Sequence, residues 1–197
     1  MVSFTNLLAV ALLAVTGTVN AQTCTDVHLV YARGTNQPPG LGSNGAPLLD
    51  GLTAALPDKT VSAYAVDYAA DTLQTSAGPG ATDMTRHIIS YAASCPKSVF
   101  VIGGYSQGAT VTSIAIGINT ILGRGEVIPM YLAPRIKAVV TFGNPIKIFG
   151  QTIAKDSALY GSKSIDYCNQ GDPVCANGSN IGAHFTYPTT AVAEASI

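Results

Sequence analysis

A chain of 197 residues with 47% hydrophobic content is long enough to bury one sizeable core and too short for two ordinary domains. Only 11% of the residues are charged and the formal net charge is -1, with a pI near 6.2, so nothing calls for nucleic acid or another polyanion as partner. Charge this sparse also excludes an extended disordered chain, and it points to an uncharged substrate or an apolar surface.

Residues 1–21 carry no charged side chain, and the apolar run Leu7–Val15 is too short to span a bilayer. Small residues follow, and Val19-Asn20-Ala21 has the pattern a signal peptidase reads. This predicts a signal peptide over 1–21, cleaved after Ala21, and one domain over 22–197. The lack of Lys or Arg near Met1 departs from the usual pattern; an N-terminal core segment or a membrane anchor is the competing reading.

Val27-His28-Leu29-Val30-Tyr31 reads as a buried strand that ends at Arg33-Gly34 and opens into a Gly- and Pro-rich loop reaching Pro47. Leu48–Leu56 has helical spacing and stops at Pro57. Val61–Val66 alternates as a second strand, and Asp67–Gly80 reads as polar loop. Over Ala81–Ala93, Met84, Ile88 and Tyr91 share one helical face. Ser98–Ile102 is a strand, Ala109–Leu122 a helix-length apolar run, and Gly103–Gly108 the turn between them. Ile136–Phe142 and Ser164–Tyr167 supply the last strands. The alternation predicts an α/β fold, a three-layer sandwich whose central, mainly parallel sheet of about five strands is covered by helices on both faces.

The turn contains Gly104-Tyr105-Ser106-Gln107-Gly108. In a chain with 20 glycines such a Gly-x-Ser-x-Gly string arises easily by chance, so its setting decides. A strand before it, a helix after it and small flanking residues are what a nucleophile elbow requires. A serine hydroxyl attacks only when a base takes its proton. Of the three histidines, His28 sits inside the first strand, where a structural role fits, and His87 is placed on the polar side of its helix. His184 alone follows Ser106, in the order Ser, acid, His. Glu126, Asp156, Asp166 and Asp172 lie between them. Asp172 stands out because Cys168 and Cys175 bracket it, although a plain turn at Gly171-Asp172-Pro173 is the competing reading. Asp166 reads as a strand-edge surface charge. Two donors must hold the oxyanion: the backbone N–H of Gln107, and Thr35 in Arg33-Gly34-Thr35-Asn36, which otherwise reads as a glycine turn.

Four cysteines, an even number, all follow the predicted cleavage site, which favours two disulfides. Three connectivities are possible. Cys168–Cys175 is the easiest local pair and leaves Cys24–Cys95. Without a Cys-x2-Cys pair, and with the histidines far off, zinc is disfavoured.

These residues resemble the cutinase family of serine esterases, within the α/β-hydrolases. The likeness runs through Tyr31-Ala32-Arg33-Gly34-Thr35, Gly103-Gly104-Tyr105-Ser106-Gln107-Gly108-Ala109, Phe142-Gly143-Asn144-Pro145, and Cys168-Asn169-Gln170-Gly171-Asp172-Pro173-Val174-Cys175 followed by Ala183-His184. It implies a Ser106, Asp172, His184 triad, an oxyanion hole of Thr35 and Gln107, the Cys24–Cys95 and Cys168–Cys175 bridges, no cofactor and no metal. The family commonly has Ser where Thr35 stands, and only 13 residues follow His184, so its final helix is expected to be short or missing.

The expected activity is that of a secreted monomeric esterase hydrolysing cutin, related aliphatic polyesters and short-chain esters at a polymeric or lipid-like interface. An acetylxylan or lipid esterase is the nearest alternative, and a secreted surface-binding or host-recognition protein is the rival from another class. Pro173, Val174, Ile181 and Phe185 form either an acyl-binding rim or ordinary loop packing. Asn177-Gly178-Ser179 is a glycosylation sequon.

Overall fold

The computed structural model describes residues 23–187. Its centre is a five-stranded sheet made of β1 (Val27–Ala32), β2 (Val61–Ala65), β3 (Val99–Tyr105), β4 (Ile136–Phe142) and β5 (Ser164–Tyr167), in the order β2-β1-β3-β4-β5. Every pairing is parallel. β1 is buried throughout, as a strand covered on both faces must be. Its alternate residues serve two cores. Val30 and Ala32 pack with Met84, Ile88, Val111 and Ile114 from helices α2 (Ala77–Ser94) and α3 (Gln107–Ala115). Leu29 and Tyr31 pack with Leu48 and Leu52 from α1 (Gly42–Ala55) on the opposite face. The three layers follow directly from the period of two. Two one-turn α-helices, α4 (Ile153–Asp156) and α5 (Ile181–His184), and three short 3-10 helices, Met130–Arg135, Pro145–Phe149 and Gly161–Lys163, complete the order among the described residues.

This topology locates a cleft. The chain leaves β1 towards β2 with α1 on one face, and leaves β3 towards β4 with α3 on the other. The adjacent C-terminal ends of β1 and β3 are therefore a topological switch point, where α/β sheets open a crevice.

Several boundaries differ from the sequence expectation, mostly at glycine. β3 continues through Gly103 and Gly104 to Tyr105, and the strand-to-helix turn is Ser106 alone. α2 begins at Ala77, inside the expected loop, because Gly78 and Gly80 are contact residues: a Cβ at Gly78 would stand 2.1 Å from the Arg124 carbonyl oxygen. α1 likewise starts at Gly42, ahead of the predicted Leu48. The apolar run to Leu122 is not one helix. α3 stops at Ala115, and the left-handed Gly117 (φ 86°) accompanies bonds from Gly117 N–H to Ile114 O and from Ile118 N–H to Ser113 O, the paired bonds of a Schellman stop. His87 does not lie on a polar face but is half-buried, stacked on Tyr64 with its Nε2 2.8 Å from that of His28. Asp166 is no surface charge: its Oδ1 accepts the Thr141 hydroxyl at 2.7 Å, and burial raises its pKa. The predicted signal peptide over 1–21 and the tail beyond Tyr187 lie outside the described residues.

Candidate active site

Ser106 has φ 56° and ψ -118°, a region that a non-glycine residue enters only under strain. Both sides of the peptide are pinned. Its N–H donates to Phe142 O at 2.9 Å, and its carbonyl accepts from Ala109 and Thr110 in the first turn of α3. The flanking glycines allow the close approach: a Cβ at Gly104 would lie 2.1 Å from Gly108 O, and one at Gly108 would lie 2.0 Å from Ala32 O. Gln107 is the first residue of α3, so its N–H has no intrahelical partner and sits at the positive end of the helix dipole beside Ser106.

The loop after β1 faces this elbow and is tied down along its length. Arg33 is buried, and its guanidinium donates to the carbonyls of Gln37, Tyr68 and Ala69 while lying 5.0 Å over the Tyr68 ring. The Tyr68 hydroxyl returns a bond to Arg33 O. Gly34 N–H donates to Gln37 Oε1 at 3.0 Å. Thr35 is left half-buried at the cleft, with its hydroxyl 3.4 Å from Gln107 Oε1.

On the far bank, Asp172 sits in a loop closed by the Cys168–Cys175 disulfide and by Asp172 N–H to Asn169 O, Ala176 N–H to Asp172 O and Asn180 N–H to Gly171 O. The second disulfide joins Cys24 to Cys95. Asp172 is fully buried. Its Oδ1 accepts Val174 N–H at 2.7 Å; its Oδ2 accepts His184 Nδ1–H at 2.7 Å and the Tyr187 hydroxyl at 2.5 Å. Three donors on two oxygens fix the orientation of the carboxylate. Because Nδ1 is committed to Asp172, Nε2 is the His184 nitrogen left to take a proton. The Tyr105 hydroxyl donates to His184 O at 2.9 Å, with its ring 4.9 Å from the imidazole.

Ser106, His184 and Thr35 line one cleft of about 540 Å³, together with Tyr105, Val174 and Phe185. Phe185, which lines the cleft, is 66% exposed; Ile181 is 52% exposed, and Leu73, between the lining residues Thr72 and Gln74, 83%. Of the predicted rim, Val174 and Phe185 line the cleft, whereas Pro173 and Ile181 are not among its lining residues. Asn177 is exposed beside the Asp172 loop. Sequence reasoning missed Thr72, Leu73 and Gln74, and also Tyr187. A larger groove of about 730 Å³ beside Ile121 and Phe149 is lined by no histidine, cysteine or carboxylate. Cys168, Asp172 and Cys175 bring ligand-type atoms within 4.8 Å of one another, but both sulfurs are bonded to each other, which leaves a lone carboxylate.

The cutinase family model matches residues 23–197. A cutinase of Kineococcus radiotolerans is 53% identical over 169 residues; the match covers 85% of this chain and 58% of that protein. Among solved structures, a Trichoderma reesei cutinase bound to a phosphonate inhibitor superposes with a TM-score of 0.68 at 28% identity, covering 88% of this chain and 74% of that one. An acetylxylan esterase superposes with a TM-score of 0.78 at 25% identity, covering 88% and 96%. The fold, the elbow and these matches agree: the chain belongs to the cutinase family of carboxylic-ester hydrolases.

Proposed function

We propose that the protein is a secreted serine esterase that cleaves cutin, related aliphatic polyesters and short-chain esters through an acyl-enzyme. The observation that carries this reading is the single cleft onto which the strained Ser106 and the Asp172-held His184 both open, with Val174 and the exposed Phe185 in its lining.

His184 Nε2 takes the Ser106 proton as Oγ attacks the ester carbonyl, and Asp172 stabilises the imidazolium that forms. Thr35 and the Gln107 N–H hold the tetrahedral oxyanion. Collapse expels the alcohol, which receives the proton from His184, and water repeats the sequence to release the acid. Thr35 must turn its hydroxyl from Gln107 Oε1 to donate to the oxyanion, and their 3.4 Å separation marks a weak bond to break. Apolar residues at the mouth favour an aliphatic acyl chain, and the sparse charge fits an uncharged polymer.

The test is labelling of purified protein with a phosphonate ester, followed by peptide mapping. Modification of Ser106 with loss of esterase activity is expected; an active preparation left unlabelled would falsify the assignment. A rate series over acyl length then fixes the substrate class. Exclusive release of acetate, from acetylated xylan above all, would replace the polyester reading with the one that the acetylxylan esterase neighbour favours. If Ser106→Ala left the biological effect of the protein intact, the non-catalytic surface-binding reading would win.

Export is part of the proposal. The signal-peptidase pattern at Val19-Asn20-Ala21 and the two disulfides support it. Sequencing the N-terminus of protein recovered from culture medium should read from Gln22.

A further inference from the structure

We propose that Tyr187 is a positioning residue of the acid–histidine pair, and that by sharing the Asp172 oxygen that holds His184 it sets how strongly that oxygen draws a proton onto the imidazole. The inference rests on the serine esterase reading above. Tyr187 is completely buried three residues after His184. Its hydroxyl lies 2.5 Å from Asp172 Oδ2 and 2.9 Å from the backbone nitrogen of Asn169. The direction of both bonds is determined. Asn169 N–H can only donate, an ionised carboxylate can only accept, and Cys175 Sγ, 3.3 Å away, is bonded to Cys168 and carries no hydrogen. The single phenolic proton therefore goes to Asp172.

Two donors, His184 Nδ1–H and the Tyr187 hydroxyl, thus divide the charge of one oxygen. The second donor restrains rotation of the carboxylate and lowers its pull on the imidazolium. The ionisable groups acting on Tyr187 are Asp172 and Tyr105. Burial first, and then Asp172, hold the Tyr187 phenol far above its ordinary value and push Tyr105 up to about 12, so both phenols stay protonated wherever imidazole titrates. His184 itself stands edge-on to the Tyr187 ring at 6.1 Å, the Phe142 ring is 5.9 Å away, and a Cβ on Gly143 would lie 3.2 Å from Tyr187 Cε2.

The experiment is the pH profile of kcat/KM for the wild type, for Tyr187→Phe, and for protein carrying 3-fluorotyrosine in place of Tyr187, whose more acidic phenol is a stronger donor of nearly the same size. Removing the hydroxyl should move the acid limb up by about 0.5 to 1 pH unit and lower kcat roughly tenfold at little change in KM. The fluorinated residue should move the limb down, below the wild type. If the three limbs coincide, the inference is overturned, even where Tyr187→Phe is less stable, since a purely structural role moves thermal unfolding and not the limb. Should Tyr187→Phe fail to fold, the fluorinated protein decides alone. Phosphonate labelling of the wild type runs in parallel. Absence of labelling overturns the serine esterase reading and this inference with it, whereas labelled wild type with coincident limbs overturns this inference alone.

Discussion

Acid should destabilise this protein through a pair of histidines remote from the chemistry. His28 on β1 and His87 on α2 meet through their Nε2 atoms at 2.8 Å, and His28 Nδ1 lies 2.7 Å from Ser62 Oγ. One proton serves the bond between the rings, so a second has no acceptor to meet. Tyr91 stacks on His28 at 3.8 Å and Tyr64 on His87 at 3.5 Å, which keeps most water away. Burial, and then the neighbouring His87, pushes His28 from 6.5 down to about 4; burial lowers His87 as well, with Asp83 opposing. Between those two values the unfolded chain binds a proton that the folded chain refuses. The contribution is therefore complete above pH 6.5 and is lost as pH falls towards 4. Integrating the His28 shift down to about pH 4.5 gives about 2.5 kcal/mol, and water on the half-buried His87 side reduces the expectation to about 2 kcal/mol. Urea unfolding at about pH 7 and about pH 4.5 measures it, for the wild type and for His28→Asn combined with His87→Gln. The wild type should lose about 2 kcal/mol more across that interval than the double variant. Equal losses in the two proteins would refute the argument.

Other perturbations test the site itself. Asp172→Asn preserves the shape but lets Nδ1 of His184 lose its proton-accepting partner, so kcat should fall on the order of 10⁴-fold with folding intact, read by ester hydrolysis and thermal unfolding. Thr35→Val keeps the shape and removes the hydroxyl; a loss of about 10² in kcat at nearly constant KM is expected, with Thr35→Ser restoring most of it. If Thr35→Val were silent, the backbone alone would supply the second donor. Gly108→Ala places a Cβ 2.0 Å from the Ala32 carbonyl oxygen, which forces β1 and α3 apart. A loss of about 3 kcal/mol or more, seen as a lowered unfolding midpoint, should follow.

The strands were legible in the sequence because their signals are local. β-branched runs such as Val27–Tyr31 and Ile136–Phe142 announce a buried strand whatever packs on it, and β4 spans the predicted residues. Helix limits were less legible because glycine has two uses that look alike in a string. At Gly117 it ends α3 with a left-handed φ of 86°; at Gly78 it sits inside α2 so that the Arg124 backbone can touch. Only the neighbouring chain, distant in sequence, distinguishes the two. The same holds for His87, whose helical face looked polar until Tyr64 and His28 covered it.

The site divides along the same line. Ser106, Asp172 and His184 are chemically rare in their setting, since a strained elbow needs small neighbours and a bracketing cysteine pair marks a fixed loop; chain order and setting made them candidates, and the cutinase resemblance implied the triad. Tyr187 carries no such mark. A tyrosine three residues after a histidine is ordinary, and its hydroxyl matters only because the Cys168–Cys175 loop turns Asp172 Oδ2 and the Asn169 N–H towards one point. Thr72 and Gln74 are as anonymous in their polar loop, and gain a meaning only from lining the same cleft as Ser106 and Phe185. A reacting group is constrained by its own chemistry, so its residue type is diagnostic. A supporting group is constrained by the position of what it supports, and many residue types satisfy that constraint. If Ser106, Asp172 and His184 act as proposed, substitutions that leave them alone but change this supporting shell should therefore alter pH dependence and chain-length preference before they abolish hydrolysis.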